Sequence, residues 1–516
     1  MFKVSRRQFL GGTLAAVGLA LSRCTPARTP RSGGTLKVAI INEPPTLDAA
    51  YTTALVTNWT MAHVFEGLFA YNSKFEPVPH LVERYEVNKE ATKFTFYLRK
   101  GVLFHNGQEF TAADAAASLR RWGQVGAQGR EVFRRVEQVS EADRYTLTVI
   151  FRQPTGLFPE FLAQTGTIMV PAAVAERVGR DRLPDDLCIG TGPFKLLEHI
   201  PDRHIRLGRW EKYAPREETP DGPAGRRTPY LDEVLFIPVP EDTVRADGVV
   251  TGEYHFAEGL QLDHYGRLKG TPGVEPLLVM PFGYLGPFFN KKQGLFTDVR
   301  LRQAVLFAVD LEHAMLTAFG SKEFIRLGPE LAPPETPWYS DAGKEVYNRP
   351  DPERARRLMA QAGYAGQPVR WMTTKAYPFH YNLSLSFREQ LERAGFKVDL
   401  QVLDWAALVN RRSNPELWAV FVTHGVVFEH PAIRSPLSAA WPGWWESERK
   451  DRVLAALWAE PDREKQRQLV RELQQLIWEE VPWVQAGQFA ELRAIRKEVL
   501  GYQNLPQWFF WNCGFG

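Results

Sequence analysis

Stretches that alternate apolar and polar residues are interleaved with stretches whose apolar positions recur every three to four residues, the pattern of strands and helices in α/β layers. Residues 35–41 predict a strand, 43–48 a loop and 55–69 a helix. Residues 94–99 alternate as a strand, and Lys100-Gly101 and Asn106-Gly107 follow as turn signals. Thr111-Ala112-Ala113-Asp114 is a capping box opening a helix to about Trp122, with Asp114 near its positive end. A strand at 145–151 and short helices at 157–162 and 172–178 complete this block. The stretch 188–195 holds Gly190, Gly192 and Pro193, two permissive backbone positions and one fixed one, and reads as a crossing between lobes. It does not read as a phosphate cradle, since no third glycine, Lys-Ser or Lys-Thr follows and a strand comes next.

Strands are then predicted at 194–199, 204–209, 233–238 and 283–290, with a helix at about 242–250. Thr297 or Asp298 caps the next helix, and Asp351-Pro352 opens another. Residues 369–373, 387–394, 397–402 and 404–411 read strand, helix, strand, helix. A strand at 418–423 points into the loop 424–431. Helices at about 446–458 and 461–479 and strands at 483–487 and 508–513 finish the chain.

Composition narrows the class. A chain of 516 residues, 44% hydrophobic and with 15 Trp, has ample material for several domains. Lys3, Arg6, Arg7 and Arg23 precede Cys24 with no acidic residue among them. Without them 59 basic residues face 60 acidic ones, so the rest has no basic excess to attract nucleic acid. Ser5-Arg6-Arg7-Gln8-Phe9-Leu10 is a twin-arginine motif, and the uncharged run 9–22 is too short to span a bilayer but fits a signal core. Residues 1–32 therefore read as export signal and tether. Leu21-Ser22-Arg23-Cys24 resembles a lipobox with Arg23 in place of the usual small residue, and ordinary cleavage near Ala27 is the alternative. The three cysteines exclude a disulfide scaffold or multi-Cys zinc site. Cys188 and Cys513 fit either an extracytoplasmic disulfide or two buried thiols.

The stretch from Tyr97 to Asp114, with Phe104-His105-Asn106-Gly107 at its centre, resembles the extracellular solute-binding proteins, family 5, of bacterial ABC importers. Gly190-Thr191-Gly192-Pro193-Phe194, Asp298-Val299-Arg300-Leu301-Arg302-Gln303-Ala304, the start at 43–48 and Gly363-Tyr364 carry the same resemblance, which spans about 33–515. It implies the α/β type II periplasmic-binding-protein fold of cluster C type, with two lobes and an extra domain inserted in the first. Expected bounds are 33–70, 191–286 and 485–516 for lobe I, 71–190 for the extra domain and 287–484 for lobe II. It also implies a periplasmic or extracytoplasmic monomer without cofactor. Its partners would be a small organic solute or peptide, captured by hinge closure, and the permease and ATPase subunits of the importer. The family's peptide binders pair the ligand amine with an aspartate in the loop after the strand that begins near Trp418. Here Val427 holds that place, and Phe421 falls where oligopeptide binders carry an arginine. His255 also stands where the family usually has Asp.

For the cleft the expected solute-binding residues are Tyr51 and Thr53 from the first lobe and Asn290, Tyr377, Trp405, Thr423, His424, Gly425 and Glu429 from the second. Trp405, Tyr377 and Tyr51 would enclose the ligand. Thr423, Asn290 and the Gly425 backbone would hydrogen-bond it, and Glu429 is the acid nearest the missing aspartate. A secreted hydrolase is the rival class. The chain has no Gly-x-Ser-x-Gly, His-Glu-x-x-His or Cys-x-x-Cys, and His424 with His430 is the one close histidine pair in a cleft loop.

Overall fold

The computed structural model describes residues 29–516. The twin-arginine motif, the apolar run and Cys24 lie outside the described residues. One mixed sheet of eleven strands runs through both lobes. Its first end is built from Phe194–Ile200, His204–Arg209, Glu233–Pro238, Thr35–Ile40 and Phe256–Leu260. Its other end is Val420–Val426, Pro368–Thr373 and Lys397–Val402, all parallel. Between them lie two long antiparallel strands, Gly487–Arg496 and Val274–Phe289. The sixteen residues of Val274–Phe289 pair with Gly487–Arg496 along their first part and with Val420–Val426 from Gly283 onward. The register shifts between Val279 and Gly283, where one pairing gives way to the other. These two strands carry the chain between the lobes.

Gly190–Pro193 does not make that crossing: it enters the sheet at the edge strand Phe194–Ile200. Its glycines answer a different need. A Cβ on Gly190 would stand 2.0 Å from the Val64 carbonyl oxygen, and one on Gly192 2.5 Å from that of His63. The close approach lets the Gly192 N–H donate to Val64 O at 2.9 Å and the Phe194 N–H to His63 O at 3.1 Å.

Before this edge lies a four-stranded antiparallel sheet of Val82–Val87, Lys93–Leu98, Thr146–Phe151 and Val136–Asp143. Alternation along Lys93–Leu98 buries Phe94, Phe96 and Leu98. The capping box forms as expected. The Thr111 N–H donates to Asp114 Oδ2 at 2.8 Å, opening the helix Ala112–Val125, and Asp114 Oδ1 accepts from the Ala172 N–H at the start of a second helix.

Several predicted elements differ, among them the helix at 387–394, which begins at Pro378, and the strand at 283–290, which begins at Val274. The helix at 55–69 stops at Met61, where His63 turns inward, its ring meeting the Trp59 and Thr60 carbonyls and accepting the Phe510 N–H at 3.0 Å. Residues 508–513 are not a strand, because Trp508, Phe510 and Trp511 pack around that imidazole, with Phe509 stacked on Trp511. The strand expected at 483–487 begins where that segment ends and runs over Gly487–Arg496. Cys188 and Cys513 are both buried free thiols.

Candidate functional site

The helix Leu55–Met61 presents Leu55 and Trp59 to the space between the lobes, and these two side chains line two neighbouring cavities. The larger, of about 710 Å³, has Tyr377, Phe379 and His424 on its second-lobe side. Tyr377 and Phe379 stand at the start of the helix Pro378–Ala394, which Pro378 opens in the favoured first turn. His424 comes from Val420–Val426, opposite Leu285. Tyr377 meets Trp405 edge to face at 5.2 Å, and Phe379 stacks obliquely on Phe489 at 5.3 Å.

The facing wall is polar but almost wholly satisfied. Glu258 Oε1 accepts from the Ile41 N–H at 3.1 Å and Oε2 from Trp508 Nε1–H at 2.7 Å. Arg245 donates to the carbonyls of Val239, Pro240, Glu258 and Gly259. Glu491 Oε2 receives Arg493 at 2.6 Å. Burial nonetheless pushes Glu491 up to about 7, against the pull of Arg493 and with the adjacent Glu258 carboxylate adding to the rise.

The smaller cavity, of about 120 Å³, lies where the N-terminal half of the chain approaches the loop after Val420–Val426. Phe75 stacks on Phe428 at 6.0 Å along its wall. Its polar lining includes Thr53, Tyr71, Gln164, Asn58 and Glu429. Asn58 is buried and its Oδ1 has no donor. Glu429 likewise receives no protein hydrogen bond among the described residues, and burial raises it above the usual carboxylate range despite Arg434 nearby. A buried acceptor without a donor, Asn58 Oδ1, and a half-buried carboxylate without one, Glu429, share one cavity. Among the described residues no group of three or more His, Cys, Asp or Glu is placed to hold a metal ion.

A deep cleft between two lobes joined by two long strands is the geometry of a protein that encloses a solute. The sequence profile of the bacterial extracellular solute-binding proteins, family 5, matches residues 76–437. The chain belongs to this family. The probable peptide ABC transporter periplasmic-binding protein y4tO of Sinorhizobium fredii is 28% identical over 537 aligned residues, covering 99% of each chain. The glutathione-binding protein GsiB of Salmonella typhimurium is 24% identical over 518, covering 96% of each. The ABC transporter substrate-binding protein CtaP of Listeria monocytogenes shares the fold at a TM-score of 0.82 and 18% identity, covering 94% of this chain and all of its own. As a family 5 member, the chain is the substrate-binding subunit of an ABC importer, and it acts outside the cytoplasm. Its relatives are binding proteins, not hydrolases. No helix among the described residues is long and apolar enough to cross a membrane.

Within this family 5 cleft the expected residues divide. Tyr377 and His424 line the large cavity, and Thr53 and Glu429 the small one. Trp405 stands behind Tyr377 as its edge-to-face support. Thr423 is buried in the strand opposite Gly286. Gly425 faces Tyr284, whose hydroxyl would be 2.6 Å from a Cβ there. Tyr51 is 46% exposed beside Arg182 and lines neither cavity. Asn290 is 1% exposed, and its Nδ2 donates to the Pro415 and Trp418 carbonyls at 2.7 and 3.0 Å, so it brackets two loops. His430 does not join His424. It packs edge-on against Trp338 at 4.3 Å and accepts the Ala432 N–H. The partner of His424 is His380, whose Nε2 lies 2.9 Å from His424 Nδ1. Asn58, Glu258, Glu491 and His380 had no local signal: the last three reach their places through long-range pairings, and Asn58 through the packing of the helix Leu55–Met61. Trp59 carried one, an aromatic residue within a predicted helix, whereas Phe379 lies in the part of Pro378–Ala394 that precedes the helix predicted at 387–394.

Proposed function

We propose that this importer subunit captures a peptide-like or modified small organic solute in the two-part cleft and delivers it to a permease. Aromatic contacts and neutral hydrogen bonds hold most of the ligand, and a donor-bearing group, an amine above all, enters the small cavity. The observation that carries this reading is the pair of unpartnered acceptors there, Asn58 Oδ1 and the Glu429 carboxylate. A buried ammonium costs several kcal/mol to desolvate unless it meets such an anion. Val427 is buried and apolar, and Phe421 stacks at 5.7 Å on Phe288 in the core, so neither serves a ligand terminus. Peptide and glutathione binding by the relatives supports the ligand class.

Native mass spectrometry of gently purified protein tests the reading by identifying a co-purified solute. A thermal-shift screen of plain, capped and cyclic peptides and glycosides is the second test. A ligand at about 100 times its Kd adds about 2.7 kcal/mol to the folded state. The solute should shift the parent and lose most of that shift in Glu429→Gln. A plain peptide giving the largest shift, unaltered in Glu429→Gln, would sink the assignment.

The same reading has the chain leave the cytoplasm folded, by the twin-arginine route, with lipid at Cys24 or cleavage near Ala27, and work as a monomer. Its lobes follow the bounds given above, with the extra domain at 71–190. Replacing Arg6 and Arg7 with lysine should abolish export, which fractionation reads directly.

A further inference from the structure

Behind the aromatic wall of the large cavity sit two imidazoles whose protons are linked. His424 lines the cavity, and its Nδ1 lies 2.9 Å from Nε2 of His380, in the helix Pro378–Ala394. His380 is completely buried, and its Nδ1 has no partner. Burial keeps both rings neutral, His424 down to about 4 and His380 well below the ordinary range, with His424 adding to the fall at His380. A contact between two neutral imidazoles holds one proton, so two arrangements exist. In the first, His380 donates from Nε2, its orphaned Nδ1 is a bare acceptor, and His424 carries its own proton on Nε2. In the second, His424 donates from Nδ1, and His380 keeps an N–H buried with nothing to receive it. Orphaned buried N–H groups are rarer than under-satisfied acceptors, which favours the first.

We propose that His380 is a positioning residue that fixes His424 as the Nε2–H tautomer, and that the large cavity thereby takes an uncharged acceptor group of the solute (a carboxamide, ester or sugar oxygen) in preference to a carboxylate. The second half follows from the facing wall. Asp242, Glu258, Asp263 and Glu491 line the cavity against one lining cation, Arg245, which is spent on four backbone carbonyls. Arg493 is held by Glu491 and the Leu505 and Pro506 carbonyls. A carboxylate would meet four acids and one neutral donor, whereas a carbonyl oxygen accepts from His424 while Tyr377, Phe379 and Phe489 cover its apolar flank. The ligand-class half rests on the solute-binding reading above; the tautomer half does not.

Long-range ¹H–¹⁵N correlation spectra of the full chain with ¹⁵N-labelled histidine read the tautomers without any ligand. The expected pattern is Nε2–H on both residues, and His424 keeps it in His380→Gln, whose side-chain amide donates from the same place. In His380→Leu, His424 should become a tautomer mixture. Nδ1–H on His424 in the parent, or no change in His380→Leu, overturns the positioning role. For the ligand class, matched short-peptide libraries ending in carboxylate or carboxamide are compared by competition in native mass spectrometry. Carboxamides should bind at least about tenfold tighter, since like-charge juxtaposition at an interface costs several kcal/mol. His424→Gln, which keeps a donor, should preserve that preference, and His424→Leu should lose it. Equal or tighter binding of the free acids, or no binding by either library, overturns the ligand class. Failure of both libraries with a co-purified non-peptide solute would leave the importer reading intact.

Discussion

Glu66 is a fully buried carboxylate and Glu429 a half-buried one, and they sit at opposite poles of polar satisfaction. Glu66 is 2% exposed and meets His80 Nε2 at 2.7 Å, Tyr213 OH at 2.8 Å, Thr191 OH at 2.9 Å and Arg227 Nη1 at 3.3 Å. Burial alone would raise it, but His80 and then Arg227 outweigh that and hold it at about 2. Glu429 meets no donor and is shifted the other way. A buried charge that the protein satisfies completely belongs to the fold. One left open onto a cavity costs the fold something and is kept for a group that arrives later.

Replacing Glu66 should therefore give the largest effect. Glu66→Gln leaves Arg227 and Tyr213 facing an amide, and breaking a buried charged pair costs about 3–5 kcal/mol. The thermal transition of the variant should fall by several degrees at neutral pH. The sign with pH is fixed: a carboxylate whose folded pKa is depressed stabilises above its ordinary value and loses that contribution as pH falls toward about 2. The gap between parent and variant should thus narrow as pH drops from 5 to 2. A gap that stays constant would mean that the ion pairs are not what Glu66 contributes.

Glu160 sharpens the comparison from the other side. It is buried beside Tyr71, whose hydroxyl lies 3.2 Å from Oε2, and burial, partly offset by Arg463, raises it to about 8. Folding then takes up a proton at neutral pH. Its unfavourable contribution is absent well below the ordinary carboxylate value and grows as pH rises toward 8. Glu160→Gln mimics the protonated form and should stabilise the protein by on the order of 3 kcal/mol at pH 8. Calorimetry at pH 4.5 and 8 decides the matter. Equal transitions for parent and variant at both would place a compensating cation beside Glu160.

Much of this architecture is legible in the chain, and the limits have physical causes. The capping box at Thr111, the alternation of Phe94, Phe96 and Leu98, and the proline-opened helix at Asp351 are local signals, and the structure contains each. Val274–Phe289 was legible only at its far end, because its first part is a mixed run with two prolines, paired through a distant partner. Gly190 and Gly192 were legible as special backbone, but glycines for close approach and glycines for a hinge look alike in sequence. Of the residues expected at the site, Thr53, Tyr377, His424 and Glu429 line the two cavities. Asn290, expected with them, is a bracket, because hydrogen-bond satisfaction depends on where Pro415 and Trp418 place their carbonyls. His380 and Asn58 lie inside helices, where polar residues usually face water, and only tertiary packing turns them inward.

The smallest stability change should come from Glu429→Gln, and it is the one that can break the comparison. The folded pKa of Glu429 is raised, so its contribution is unfavourable above the ordinary carboxylate value and vanishes below it. Removing the charge should leave the transition unchanged or raise it by less than about 1 kcal/mol at pH 7, since Arg434 already offsets part of the burial. Arg434 does not need Glu429 to stay in place: it donates to Val427 O at 3.1 Å and lies over the Tyr284 ring. The effect should appear in binding. A solute with a free amine loses a charge-assisted contact worth roughly 1.5–3 kcal/mol, or about ten- to a hundredfold in Kd, and its N-acetylated form should bind parent and variant alike. If Glu429→Gln instead destabilises the empty protein as much as Glu66→Gln does, then Glu429 is part of the framework that holds the two lobes together. A ligand donor entering the cavity would then be met by the acceptor Asn58 Oδ1 instead.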